Sequence, residues 1–388
     1  MSKLRIAAAL LLVTPVLIGQ GVRVNSSLIA HEWGTFTSVA GADGSAVQWA
    51  PLSGAPDLPC FVDHLSPRRL KLAPGLVRME TPVVYFYASR PATVSVHVKF
   101  PEGWVTEWYP QATRVKPEFR KETRMDPDMA KGQIDWDSVQ LSPDLNADLP
   151  SNEGGSRYFA ARNTDSTPLQ IGNEQEKFLF YRGLGNFPVP VEAKFIGDGQ
   201  FEIQNVGGVI IPLAIVFERQ GDRIGYRFIH NFQSSLKLGS PELTGTPDDL
   251  QQRIRQSLID SGLYEKEAAA MIETWKDSWF EDGMRVFYIV PRSMVDAVLP
   301  LRIDPAPVMI SRVFVGRVEV LSPAVRMSIE NALGTGDIET LAKFGRFLSP
   351  FLSQLGLDAV QPSSAAAEYL ERAYTKVAHD FYSVSCVP

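Results

Sequence analysis

An α+β fold is predicted for this chain: a largely antiparallel β-sheet or sandwich, with helices packed from the C-terminal part. Three observations predict it. Residues 93–100 alternate strictly, placing Val94, Val96, Val98 and Phe100 on one side and Thr93, Ser95, His97 and Lys99 on the other. Hairpin patterns recur at 193–203 around Gly197-Asp198-Gly199, and at 209–230 around Gln220-Gly221-Asp222-Arg223. Helical periodicity belongs mainly to residues beyond Ser240, with Leu250, Ile254 and Leu258 on one stripe and Ala268, Met271, Ile272, Trp275 and Trp279 on another.

From the N-terminus, Lys3 and Arg5 precede an apolar run over 6–18, and Gly19 and Gly21 stand two apart after it. That order reads as a signal peptide over 1–21, with the mature chain starting near Val22 and no membrane span after cleavage. Residues 30–38 read as extended, and 46–49 return as a hairpin partner across the turn residues 41–44. Strands follow at 81–88 and 93–100. Residues 111–167 form a long polar excursion, rich in Pro, Asp and Asn, of which little is expected to join the regular core. Strand patterns resume at 178–182, 193–203, 209–219 and 224–230, which completes a β-rich region over 22–240.

The region 241–388 reads as α+β and as packed on the same core. Thr246 and Pro247 open the first helix and Gly262 closes it. A second helix covers 265–280. Strands at 284–290 and 311–321 precede a helix capped by Ser322-Pro323, and a last helix is expected over 364–378.

A net charge of −6 without a basic stripe argues against nucleic acid as a partner. The two cysteines, Cys60 and Cys386, either form one bridge in an oxidising compartment or stay apart as separate thiols. No histidine pair has zinc spacing, and no CxxC, G-x-S-x-G or phosphate-binding glycine loop occurs.

Charged residues in apolar strand contexts are the remaining candidates for chemistry, because a buried charge is costly unless paired. These are Glu80, Glu107 and Arg182, to which Glu32 and His230 are added as catalytic candidates. The bland reading of the same residues is structural ion pairs. His31 is a candidate metal ligand, although it and Glu32 leave opposite faces of a strand. Asp144, Asn146 and Asp148 have the spacing that opens a calcium loop, but Leu149 stands where the turn glycine is needed. That argues against an EF-hand-type site and leaves a looser calcium site as the alternative to a plain solvated loop.

The segments His31-Glu32-Trp33-Gly34-Thr35-Phe36-Thr37, Glu80-Thr81-Pro82, Glu107-Trp108-Tyr109-Pro110, Phe180-Tyr181-Arg182-Gly183 and Val315-Gly316-Arg317 together resemble a family of secreted bacterial proteins with no known activity. The resemblance implies export to the periplasm or beyond and a bacterial source, and transfers no chemistry. The expectation is therefore an exported binding or assembly protein. The alternative is a metal-dependent or hydrolase-like secreted enzyme whose site gathers distant residues.

Overall fold

A computed structural model describes residues 24–52, 57–65, 75–117, 131–151, 156–197, 199–357, 368, 369 and 372. The signal segment and Cys386 lie outside them, as does most of the helix expected over 364–378. The proposed Cys60–Cys386 pairing lies outside them too, although Cys60 itself sits exposed in a turn.

Eighteen strands are described. The first nine are β1 (Val24–Val39), β2 (Asp63–His64), β3 (Val77–Ala88), β4 (Ala92–Phe100), β5 (Gly103–Tyr109), β6 (Arg114–Lys116), β7 (Gly132–Leu141), β8 (Leu169–Ile171) and β9 (Glu174–Glu176). The others are β10 (Leu179–Gly185), β11 (Val191–Gly197), β12 (Gln200–Asn205), β13 (Ile211–Gln220), β14 (Arg223–Phe232), β15 (Ser235–Gly239), β16 (Gly283–Ile289), β17 (Leu301–Asp304) and β18 (Ala306–Val320). The helices are α1 (Pro247–Asp260), α2 (Glu265–Trp279), α3 (Arg292–Val298), α4 (Pro323–Thr335), α5 (Ile338–Lys343) and α6 (Leu348–Gln354).

Nine strands form one sheet in the order β14-β13-β16-β18-β1-β3-β10-β5-β2. Its pairings are antiparallel except that of β1 with β18, which is parallel. Strands from both sides of Ser240 thus interleave in one sheet. One face of this sheet packs on two smaller sheets, β17-β4-β7-β8-β9 with β6 alongside, and β11-β12-β15. Val94, Val96, Val98 and Phe100 of β4 enter that core, as their alternation requires. The other face packs on α1 and α2 through Leu250, Ile254, Leu258, Met271, Trp275 and Trp279. A satellite core joins α4, α5 and α6 to Val39 and Trp49 at one end. Helix α1 begins as expected, with the Thr246 hydroxyl accepting from the Asp249 amide and Pro247 at the first turn.

Two sequence expectations are corrected. Residues 46–49 do not form a full hairpin strand: Ala46 makes a single bridge to Ala40 and the Val47 amide donates to the Val39 carbonyl at 2.9 Å, but β3 takes over as the partner of β1 from Thr37 back to Leu28, and Trp49 turns away to bridge Gly75. Within 111–167, residues 132–141 form β7, which lies between β4 and β8. Its Ile134, Trp136 and Val139 are fully buried, and the Trp136 indole donates to the Pro110 carbonyl at 2.9 Å. The excursion's polar flanks hid a strand whose inward positions are apolar. Among the described residues no helix is long and apolar enough to cross a membrane.

Candidate functional site

The strands β1, β3, β10 and β5 all lose register at one level of the large sheet. The shifts fall between Trp33 and Thr35, between Phe180 and Gly183, and between Arg182 and Gly183. Bulges of this kind re-aim side chains and recur beside functional sites. Here Thr81 of β3 takes φ 48. A β-branched residue pays for that conformation with steric strain, so the surrounding fold must hold it there. Gly34 lies opposite, where a Cβ would stand 2.7 Å from the Phe314 ring and 3.1 Å from Pro82 Cα.

On the helix-facing side of this bulge, β3 and β10 direct Arg78, Glu80 and Arg182 inward. Arg182 donates from both terminal nitrogens to Asp57, at 2.6 Å to Oδ1 and 2.8 Å to Oδ2, and lies 3.4 Å from the Thr81 hydroxyl. Among the described residues its Nε has no hydrogen-bond partner, although its side chain is only 4% exposed. Glu80 is 1% exposed, and its Oε2 accepts from the Thr37 hydroxyl at 2.9 Å. Its Oε1 lies 2.7 Å from Arg346 and 3.1 Å from Arg78 Nε. Those two contacts are ionic; neither is aligned as a hydrogen bond, so the charge rather than the geometry holds them. Arg78 also donates to the Pro51 carbonyl at 2.8 Å and stands 4.0 Å from Asp57.

A second group continues the charge toward α2. Arg285 donates to Glu319 at 2.8 Å, Arg317 donates to the same carboxylate, and Arg317 reaches the Ser278 hydroxyl at 2.7 Å.

The electrostatics follow from this crowding. Burial raises the Glu80 and Asp57 carboxyls, but the arginines Arg346, Arg78, Arg317 and Arg182 around Glu80, and Arg182, Arg78 and Arg346 around Asp57, outweigh it and hold both below the ordinary carboxylate range. Glu319 is lowered in the same way by Arg285 and Arg317. Arg346 is pushed down to about 10, first by burial and then by Arg78 and Arg317, which Glu80 and Asp57 only partly offset. Burial disfavours charge on Arg182, and Asp57, Glu107 and Glu80 more than compensate, raising it. Asp57 is 29% exposed and Arg346 16%, so these two form the outer rim of the cluster.

Three of the five sequence candidates, Glu80, Glu107 and Arg182, therefore share one neighbourhood. Glu107 is the register partner of Arg182 and accepts from the Thr106 hydroxyl. The other two lie elsewhere. Glu32 faces the opposite, sandwich side of the sheet, where it accepts from the Tyr181 hydroxyl and from Arg312. His230 is exposed on β14, the edge strand, and does not end in a core.

His31 lies inside β1, and its Nδ1 sits 2.8 Å from Glu267 of α2. Glu267 also accepts from the Tyr87 hydroxyl at 2.8 Å and from the Tyr264 amide at 2.7 Å. The His31 ring packs against Tyr264, with centroids 4.3 Å apart, and its buried Nε2 has no hydrogen-bond partner among the described residues.

Asp144 and Asn146 are exposed beyond β7, and the Asp148 amide donates to Gln175 at 2.8 Å. Among the described residues no group of three or more His, Cys, Asp or Glu is placed to hold a metal ion.

Sequence reasoning passed over Asp57, Arg78, Arg346, Arg317 and Glu267. Arg317 and Glu319 were the findable pair, since both sit at one parity of the run Val313-Phe314-Val315-Gly316-Arg317-Val318-Glu319-Val320. Asp57 and Arg346 lie in irregular or short elements where no period marks a residue as inward. No family model matches the chain, and no curated protein matches it either.

Proposed function

We propose that this chain is an exported binding protein whose ligand site is the charged rim of Asp57 and Arg346, with Arg182 behind it. The observation that supports it best is the strained Thr81 bulge, which holds a forked, almost fully buried Arg182 behind a partly exposed aspartate. Strain and buried charge both cost stability, and they persist where a site requires them. Export rests on the N-terminal signal pattern. The test is a thermal-shift screen of the mature protein against small anionic and neutral solutes. Saturable stabilisation by a solute class, absent in Arg182→Met, is the expected result. Stabilisation that Arg182→Met leaves intact would place the ligand elsewhere.

A second reading, a hydrolase-like or metal-dependent secreted enzyme, draws on one observation. A carboxylate fixes Nδ1 of His31 while Nε2 is unpartnered, which is how a general base is oriented. That reading predicts turnover of chromogenic esters that disappears in His31→Ala. Turnover that is absent, or indifferent to His31, removes it.

A further inference from the structure

Resting on the binding reading above, we infer that the natural ligand carries a carboxylate, and that Asp57 is an internal carboxylate occupying the ligand's place in the Arg182 fork. Two features carry this. The first is geometry. Both Asp57 oxygens meet both terminal nitrogens of Arg182 at 2.6 and 2.8 Å, the parallel two-bond arrangement that matches a planar carboxylate. A lysine or a point-charge anion site would not need that fork.

The second feature is the balance of charge at the rim. Arg78, Arg182 and Arg346 converge on two carboxylates, Asp57 and Glu80. Glu80 is buried and bound by the Thr37 hydroxyl as well, so it cannot leave without stranding Arg346 and Arg78. Among the described residues the Asp57 side chain has no such second anchor: its contacts there are to Arg182 and, at 4.0 Å, Arg78. It is also the most exposed of the five side chains, at 29%. It is therefore the member that an incoming carboxylate can displace. Displacement swaps one anion for another in the fork, so the buried guanidinium is never left uncompensated. Arg182 Nε and the Thr81 hydroxyl remain at the fork to receive a further acceptor or donor from the ligand. Arg346, whose charge is disfavoured where it stands, gains from any anion retained beside it.

Chemical rescue tests this directly. Asp57→Ala removes the internal carboxylate and leaves the fork, and Asp57→Asn keeps the side-chain volume while removing the charge. Acetate, with chloride at matched ionic strength as control, is the probe. The expected result is that acetate raises the melting temperature of Asp57→Ala, with half-saturation at a concentration at least tenfold lower than in the unmodified protein. The double variant Asp57→Ala/Arg182→Met should not respond. Phosphate separates the sources of the anion: a smaller response than to acetate supports planar recognition, and an equal or larger one overturns the carboxylate assignment. Equal acetate responses in the unmodified protein and Asp57→Ala overturn the inference. So does failure of both Asp57 variants to fold in acetate, because the external anion then does not replace the side chain. If rescue succeeds while the solute screen of the unmodified protein finds no ligand, the fork chemistry stands and the binding reading falls.

Discussion

Glu80→Ala is expected to destabilise the protein by about 3–5 kcal/mol, the range for removing one partner from a buried ion pair. Glu80 is 1% exposed and is the carboxylate that both Arg78 and Arg346 approach most closely. Its loss leaves the Arg78 and Arg346 guanidiniums without their nearest carboxylate, and deprives the Thr37 hydroxyl of its acceptor. The comparison variant is Glu273→Ala, which breaks the Lys276 pair on the exposed side of α2. Solvent screens an exposed pair of that type, so its loss should leave the denaturation midpoint nearly where it was. Urea denaturation gives both values: a lowered midpoint with an unchanged slope marks a loss of stability rather than a change in the unfolded chain. Adding Arg346→Met to Glu80→Ala should recover part of the loss, because it removes one of the two stranded cations. A Glu80→Ala loss below about 1 kcal/mol would mean that the cluster is hydrated and that its charges are not truly buried.

The difference between what the chain announced and what it concealed has a physical basis. Where one sheet face is buried and the other is wet, side-chain parity is written into the sequence, and β4 is legible for that reason. The hairpins β11–β12 and β13–β14 were legible from their turn residues, and α1 from Thr246 and Pro247. Strands buried on both faces lose that signal. β3 is buried at nearly every position, so its Arg78 and Glu80 stand out only as polar residues among apolar ones. The partner of Glu80 lies 266 positions along the chain at Arg346, in a short helical turn without its own period. Parity did separate His31 from Glu32, and the two do join different networks on opposite faces. What no local pattern contains is the coincidence of register shifts in adjacent strands, because a bulge is decided by pairing rather than by either strand alone. The candidate site was therefore visible as three charged residues in odd places, and invisible as a site.

The largest effect of solution conditions is expected on acidification. Asp57, Glu80 and Glu319 each have a folded pKa below the ordinary carboxylate value of about 4, because neighbouring arginines outweigh the cost of burial. In that case the unfolded chain takes up protons first as the pH falls. The stability these groups contribute is fully present above about pH 5, begins to fade near pH 4, and is lost as the pH drops through their lower folded values. The melting temperature should be nearly flat from pH 7 to about pH 5 and then fall steeply, with the slope set by how many more protons the unfolded state binds. Glu80→Gln isolates one of the three. It should lower stability at pH 7 and make the acid limb shallower, so that the curves of the two proteins converge toward pH 2. Asp57→Asn should do the same more weakly, since its side chain reaches solvent. Parallel acid limbs for the unmodified protein and Glu80→Gln would show that Glu80 titrates alike in the folded and unfolded chains, and would remove the arginine cluster as the source of acid sensitivity.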